Sequence, residues 1–171
     1  MDSERFEKYI EKFGRDVYSF CLYLTRNKED ANDLYQQTFL VAFEKNEIED
    51  DGNPKSYLIT IASNIWNNVK RKRARREKNF GTACLDDEEV ELLESTEISV
   101  EDEVISKEEK DKLRRLVMAL PDKFRTVILM YYMEEMSIDD MASVLRIPAG
   151  TVKSRMNKAR KILKEKMDYD R

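Results

Sequence analysis

Apolar residues recur three or four positions apart along the first part of the chain, which is the spacing of one face of an amphipathic helix. From Phe6 to Leu24 this pattern predicts a first helix that ends near Arg26. The sequence NKED at residues 27–30 has the form of a capping box and predicts the start of a second helix. Asn-Pro at residues 53–54 joins an N-cap residue to a proline suited to the first helical position, so a third helix is expected there.

The same spacing returns towards the C-terminus. Capping-box sequences at residues 106–109 and 137–140 each predict the start of a helix, and another helix is expected to start after Pro121. A last helix follows the turn RIPAG, and its predicted buried stripe consists of Val152, Met156, Ala159 and Leu163. A short helix, a tight turn and a basic amphipathic helix are together typical of a helix-turn-helix.

Composition and charge indicate two helical parts. The 171 residues include only four glycines and three prolines, which favours helices over strands. The net charge is −4, but residues 1–76 carry +1, residues 77–111 carry −11 and residues 112–171 carry +6. We therefore predict an all-α fold of two small helical domains, residues 1–76 and 106–171, joined by an acidic flexible linker at residues 77–105.

The acidic linker has two interpretations. Blocks of like charge are usually solvated tethers, and we favour that interpretation. The alternative is an acidic strip that competes with DNA for the basic surfaces.

The composition also argues against several kinds of site. The chain has no histidine, which removes His-based nucleophilic triads, His general bases and the usual zinc sites. Carboxylate or lysine chemistry stays open, but an enzyme becomes less expected, and we predict no catalytic residue, metal or cofactor. Cys21 and Cys84 lie far apart and are expected to be reduced thiols. The N-terminus lacks a signal-peptide pattern and no apolar run approaches the ~20 residues that span a bilayer, so we expect a cytoplasmic protein without direct membrane insertion.

Two basic segments are candidates for DNA binding. Six of the seven residues at 70–76 are basic, and so many cations repel each other unless a polyanion lies nearby. The last helix surrounds its apolar stripe with lysine, arginine, serine and asparagine, which can bond to base edges or phosphates. The alternatives are a solubilising helix end and a small bundle with a solvated basic face.

The motifs of both halves resemble those of bacterial sigma factors of the extracytoplasmic-function group. EDANDLYQQTF at residues 29–39 resembles the helix by which this group binds core RNA polymerase, with Gln37 where the group usually has Glu or Asp. The resemblance implies these polymerase-binding residues: Asp30, Asp33, Leu34, Gln36, Gln37 and Phe39.

SYLITIASNIWNNVKRKR at residues 56–73 is similar to the group's helix for the minus-ten promoter element, with Tyr57 in place of the usual Trp and Asn68 in place of Asp. Residues 46–53 would form the loop that captures an unpaired base. The DNA-binding residues implied on this side are Asn64, Asn68, Lys70, Arg71, Lys72, Arg73 and Arg75.

Residues 120–163 resemble the group's signatures L-P-x-x-x-R, S-x-x-E-I-A and G-T-V-K-S-R in order and spacing, with Asp140 and Met141 replacing Glu and Ile. The resemblance implies that the last helix of this range, which contains G-T-V-K-S-R, would read the minus-thirty-five element and that Arg155 would bind phosphate. The implied DNA-binding residues are Thr151, Lys153, Ser154, Arg155, Asn157 and Lys158.

The resemblance implies a non-enzymatic specificity subunit whose partners are core RNA polymerase, promoter DNA and an anti-sigma factor, which in this group is often membrane-anchored. One alternative is a stand-alone helix-turn-helix regulator, although it would leave residues 29–39 without a role. Another is a metal-dependent nucleic-acid enzyme using Glu29, Asp30 or Asp33, although these carboxylates are better explained by helix capping and docking.

Overall fold

A computed structural model describes residues 2–47, 52–80 and 106–169, without the side chains of residues 79 and 80. Every regular element in these ranges is an α-helix, as predicted, and the chain divides into two compact units between residues 92 and 93. The helices are α1 (Ser3–Thr25), α2 (Lys28–Lys45), α3 (Pro54–Phe80), α4 (Lys107–Ala119), α5 (Asp122–Tyr132), α6 (Ile138–Leu145) and α7 (Ala149–Tyr169).

The helix ends of the N-terminal unit follow local capping rules. Arg26 adopts a left-handed conformation that ends α1, and its N–H donates to the Leu22 carbonyl at 2.9 Å. The Oδ1 atom of Asn27 accepts the Asp30 N–H at 3.0 Å, which starts α2. Asn53 caps α3 in the same way, through the Ser56 N–H at 3.1 Å.

The three helices α1, α2 and α3 pack against one another around a shared apolar core. Its buried side chains include Val17, Phe20, Leu24, Leu34, Phe39, Leu58, Ile61, Ala62 and Trp66. Cys21 lies in this core as a free thiol, and burial raises the pKa of that thiol to about 12. Cys84 lies outside the described residues.

Helix α3 continues beyond the point where the linker was predicted to begin. Residues 77–80 form its last turn. Glu77 lies four residues after Arg73, the spacing at which opposite charges stabilise a helix. The other predicted linker residues, 81–105, lie outside the described part of the chain.

In the C-terminal unit, α7 packs against α4, α5 and α6. The Oγ atoms of Ser106 and Ser137 cap α4 and α6, as their capping-box sequences predict. The predicted stripe of α7 is buried at Val152, Met156 and Ala159, while Leu163 is only half-buried. Other buried apolar side chains of this unit include Val117, Leu120, Phe124, Val127, Ile128 and Met141.

A buried arginine in α5 bonds to the residues at the junction of α4 and α5. Arg125 is 1% exposed, and its Nη1 atom donates to the Leu120 carbonyl at 2.6 Å. Its Nη2 atom bonds to the carboxylate of Asp122. This side chain therefore links the end of α4 to the first turn of α5.

Candidate polymerase and nucleic-acid interfaces

The predicted polymerase-binding residues of α2 divide between its two faces. Asp33, Gln36 and Gln37 are exposed. Leu34 and Phe39, in contrast, are only 3% and 5% exposed, because they pack into the core of the N-terminal unit. These two side chains hold α2 in place and do not present themselves to a partner.

The exposed face of α2 also carries an apolar residue that lies outside the motif EDANDLYQQTF. Leu40 is 57% exposed. It follows Gln36 and Gln37 by four and three residues, so the three side chains are neighbours on the helix surface. The sequence contains a signal for the exposure of Leu40, because this apolar residue lies off the buried stripe of its helix.

Asp30 and Arg73, predicted to bind different partners, bind each other. The guanidinium of Arg73 donates to both carboxylate oxygens of Asp30, at 2.8 and 3.0 Å. It also lies over the ring of Trp66, 5.3 Å from the ring centroid. The hydrogen bonds to Asp30 raise the pKa of Arg73 against the opposing effect of its partial burial.

The remaining predicted residues of α3 form a polar stripe. Asn64, Asn68, Arg71 and Arg75 follow one another at spacings of four, three and four residues and are all exposed. This spacing places them on one face of the helix. Lys72 is exposed next to this face, whereas Lys70 is half-buried. We call Asn64, Asn68, Arg71 and Arg75 the α3 polar stripe.

The predicted base-capture loop, residues 46–53, lies partly outside the described residues, which omit 48–51. At its N-terminal end, Glu47 accepts a hydrogen bond from the Tyr57 hydroxyl at 3.3 Å. Burial and the neighbouring Glu47 carboxylate both raise the pKa of Tyr57. This bond joins the start of the loop to the first turn of α3.

The N-terminal half of α7 presents most of its predicted DNA-binding residues to solvent. Lys153, Ser154, Asn157 and Lys158 are exposed, while Thr151 and Arg155 are half-buried. The Nζ atom of Lys158 also lies 5.7 Å from the centre of the Phe124 ring. Because Val152 and Met156 are buried on the opposite side, the direction in which this polar face points is set by packing.

Neither a cluster suited to a metal ion nor a membrane-spanning helix is found among the described residues. Within residues 2–47, 52–80 and 106–169, no three His, Cys, Asp or Glu side chains are grouped to hold a metal ion. Over the same ranges, no helix is both long and apolar enough to cross a membrane.

Comparison with known families identifies both units. The family model described as Sigma-70 region 2 matches residues 9–76, and the model described as Sigma-70, region 4 matches residues 110–163. The chain belongs to the sigma-70 family. Its two matched regions lie in the order expected from the sequence motifs and together span well over half of the chain, which makes it an alternative sigma factor and disfavours the stand-alone regulator.

Two relatives of this sigma factor are named as extracytoplasmic-function sigma factors and are of similar length. It is 28% identical to SigW of Bacillus subtilis over 171 residues, covering 97% of this chain and 90% of that protein. It is 27% identical to SigM of the same organism over 158 residues, covering 92% of each. We therefore place it in the extracytoplasmic-function group.

Solved structures share the fold of this sigma factor. The sigma factor RpoE of Bartonella quintana, in complex with the anti-sigma factor NepR, matches with a TM-score of 0.70 and 23% identity over 98% of this chain and 99% of that one. CnrH, in complex with the cytosolic domain of CnrY, matches with a TM-score of 0.62 and 19% identity, covering 99% and 92% of the two chains. At these identities the likeness concerns the fold alone.

Proposed function

We propose that this sigma factor is a non-catalytic, cytoplasmic subunit that directs core RNA polymerase to its promoters through three separate surfaces. The observation that carries the proposal is that α2, α3 and α7 each bury an apolar side and expose the polar side that the family motifs select. The proposed working domains are residues 1–76 and 106–171, joined by the acidic linker.

The polymerase-binding surface is assigned to Asp33, Gln36, Gln37 and Leu40 of α2. These side chains are exposed, and they place an apolar residue among polar ones. An apolar contact surrounded by polar groups is the usual make-up of a protein interface. We assign the docking of α2 on core polymerase to this face.

The α3 polar stripe is assigned to the opened promoter strand. Asn64 and Asn68 can hydrogen-bond to the edge of an unpaired base, and Arg71 and Arg75 supply positive charge for phosphates at the end of the stripe. Capture of an unpaired base favours the open form of the promoter, because that base is no longer available for pairing.

The exposed face of α7 is assigned to duplex DNA upstream. Lys153, Ser154 and Asn157 stand near the N-terminal end of the helix, where recognition helices reach base edges in the major groove. Arg155 is half-buried beside this face and is assigned to phosphate. Two modules joined to one polymerase raise each other's effective concentration, so neither needs high affinity alone.

The proposed partners are core RNA polymerase, promoter DNA and an anti-sigma factor. One structure with the same fold is named as a complex of a sigma factor with an anti-sigma factor, which supports the third partner. We assign its binding to the exposed faces of α2 and α7, which it would cover. Purification from the native extract tests this partner: a co-purifying inhibitor that blocks core binding is expected, and protein that binds core freely without one contradicts it.

Transcription tests the main proposal directly. Core RNA polymerase is supplied with a promoter library, with and without the full-length protein, and run-off transcripts are sequenced. Promoter-specific transcripts that require the protein are expected. If the protein binds DNA but core polymerase stays silent and unbound, it acts as an operator-binding regulator and the proposal is wrong.

A further inference from the structure

The pair formed by Asp30 and Arg73 joins two helices across 43 residues of sequence. Asp30 lies in the first turn of α2, where the helix dipole stabilises a carboxylate and where its own N–H is capped by Asn27. The acceptor of the pair is therefore held in position. Its side chain is 23% exposed, compared with 50% for Arg73.

Arg73 is constrained on two sides. Two parallel hydrogen bonds to one carboxylate set the plane and direction of a guanidinium, which a single contact would not do. The ring of Trp66 lies against the same group at 5.3 Å. Trp66 is itself buried in the core of the N-terminal unit, so the guanidinium connects that core to the basic end of α3.

Arg73 points away from Arg71 and Arg75, two of the other DNA-binding candidates on α3. At 3.6 residues per turn, two positions correspond to a rotation of about 200°, so Arg73 lies about 160° around α3 from both Arg71 and Arg75. Trp66, Lys70 and Arg73 follow at spacings of four and three, which places them on the side facing the unit. A phosphate held by Arg71 and Arg75 is therefore on the far side of the helix from Arg73.

From this geometry we infer that Asp30 and Arg73 are positioning residues and not direct contacts to polymerase and DNA. The pair anchors the C-terminal part of α3 to the start of α2 and sets the direction in which the α3 polar stripe faces. This inference rests on the proposed function of that stripe in binding single-stranded promoter DNA.

The sign of one substitution separates the two roles. If Arg73 bound phosphate, Asp30→Asn would release its guanidinium and remove a negative charge, and DNA binding would become tighter. If the pair positions the stripe, Asp30→Asn weakens binding although the protein becomes more cationic. The probe is a fluorescent single-stranded DNA pool of random sequence, titrated with the full-length protein at several salt concentrations.

We expect Asp30→Asn and Arg73→Gln to weaken binding alike, by roughly three- to tenfold, and the double variant to be no weaker than either one. Arg73→Lys keeps the charge but not the two-pronged geometry, so it should fail to restore binding. The matched control is Arg75, which is exposed and two residues away. Arg75→Gln should reduce the slope of log K against log salt concentration by about 0.7, the value for one phosphate contact on a single strand. Arg75→Lys should keep the wild-type slope.

Trp66 supplies a readout that needs no DNA. It is the only tryptophan of the chain, so its fluorescence reports loss of the Arg73 guanidinium from its ring. Asp30→Asn and Arg73→Gln should shift this emission by the same amount, with the helix content by circular dichroism unchanged. Arg75→Gln should not shift it.

The inference is overturned if Asp30→Asn tightens DNA binding, if the two substitutions add, or if Trp66 emission responds to Arg73→Gln but not to Asp30→Asn. Failure of the proposed function is distinct: wild-type protein would then bind no DNA probe and direct no transcription, while the Trp66 measurement would still decide whether the pair anchors α3.

Discussion

The hydroxyl oxygen of Tyr35 lies directly above Gly14, so that a Cβ atom added at position 14 would be only 2.8 Å from it. This close approach is part of the contact between α1 and α2. The Tyr35 ring cannot move aside freely, because it meets Phe39 edge-on at 4.9 Å and Tyr18 at 5.7 Å. Gly14 is therefore required by space and not by backbone conformation.

Gly14→Ala should lower the free energy of unfolding in the wild-type background and raise it in a Tyr35→Phe background. Alanine stabilises a helix interior by about 1 kcal/mol relative to glycine, and this gain should be realised only when the hydroxyl is absent. Urea unfolding followed by Trp66 fluorescence measures the N-terminal unit. Gly150→Ala, in the C-terminal unit, is the control, and its unfolding is followed by circular dichroism. Nothing lies within 4 Å of the added Cβ atom at position 150, and Tyr35→Phe should not alter the effect of this substitution. Equal effects of Gly14→Ala in both backgrounds would contradict the steric explanation.

Leu34 and Leu40 offer a comparison of the same substitution on two faces of α2. Leu34→Ala removes a side chain that is 3% exposed and should cost about 2–5 kcal/mol of stability. Leu40→Ala removes one that is 57% exposed, so stability should change by less than about 0.5 kcal/mol while affinity for core polymerase falls. Unfolding curves and binding to immobilised core polymerase measure the two effects. Unchanged core binding by the folded Leu40→Ala protein would remove Leu40 from the proposed interface.

Arg125 is expected to be important for stability through its hydrogen bonds. Arg125→Met leaves the Leu120 carbonyl without this donor near the start of α5, and hydrogen bonds to charged groups contribute about 1.5–3 kcal/mol. Hydrogen exchange in α4 and α5 should accelerate accordingly in the full-length protein. Arg115→Met, at an exposed position of α4, is the matched control and should leave exchange nearly unchanged. Similar exchange in both variants would mean that the buried arginine adds no net stability.

Lys153 and Arg155 should differ in how their loss affects DNA binding. Lys153→Ala should change the preferred upstream sequence, with a loss of about 1–3 kcal/mol of discrimination at one position. Arg155→Ala should weaken binding to all sequences alike and reduce the slope of log K against log salt concentration by about 0.9, the value for one phosphate contact on duplex DNA. Binding of the reconstituted holoenzyme to a promoter library at several salt concentrations measures both. Lys164→Ala, exposed further along α7, is the control; if it matches Lys153→Ala, base reading by Lys153 is contradicted.

Much of this fold could be predicted because its signals are local. The helix starts at Asn27, Asn53, Ser106 and Ser137 each depend on a side chain that bonds to an N–H three residues later. Such bonds involve neighbours in sequence, and capping residues identify them. The apolar spacing of α7 likewise identified Val152, Met156 and Ala159 as buried.

The motifs selected α2, α3 and α7 for the candidate surfaces, but they did not distinguish the buried side chains of these helices from the exposed ones. In EDANDLYQQTF, family resemblance selected Leu34 and Phe39 together with Gln36 and Gln37, although the first two are buried and the last two are exposed. It also passed over Leu40. A family motif contains residues that pack in the core together with residues that face solvent, and the motif alone does not distinguish the two.

The sequence by itself determined the helices, their caps and the polar and apolar faces, because each depends on residues within one or two helical turns. Only the tertiary structure decided that Arg73 binds Asp30 and that Tyr35 lies above Gly14. These relationships depend on how helices far apart in sequence pack together, and no local pattern encodes the distance between two side chains on different helices.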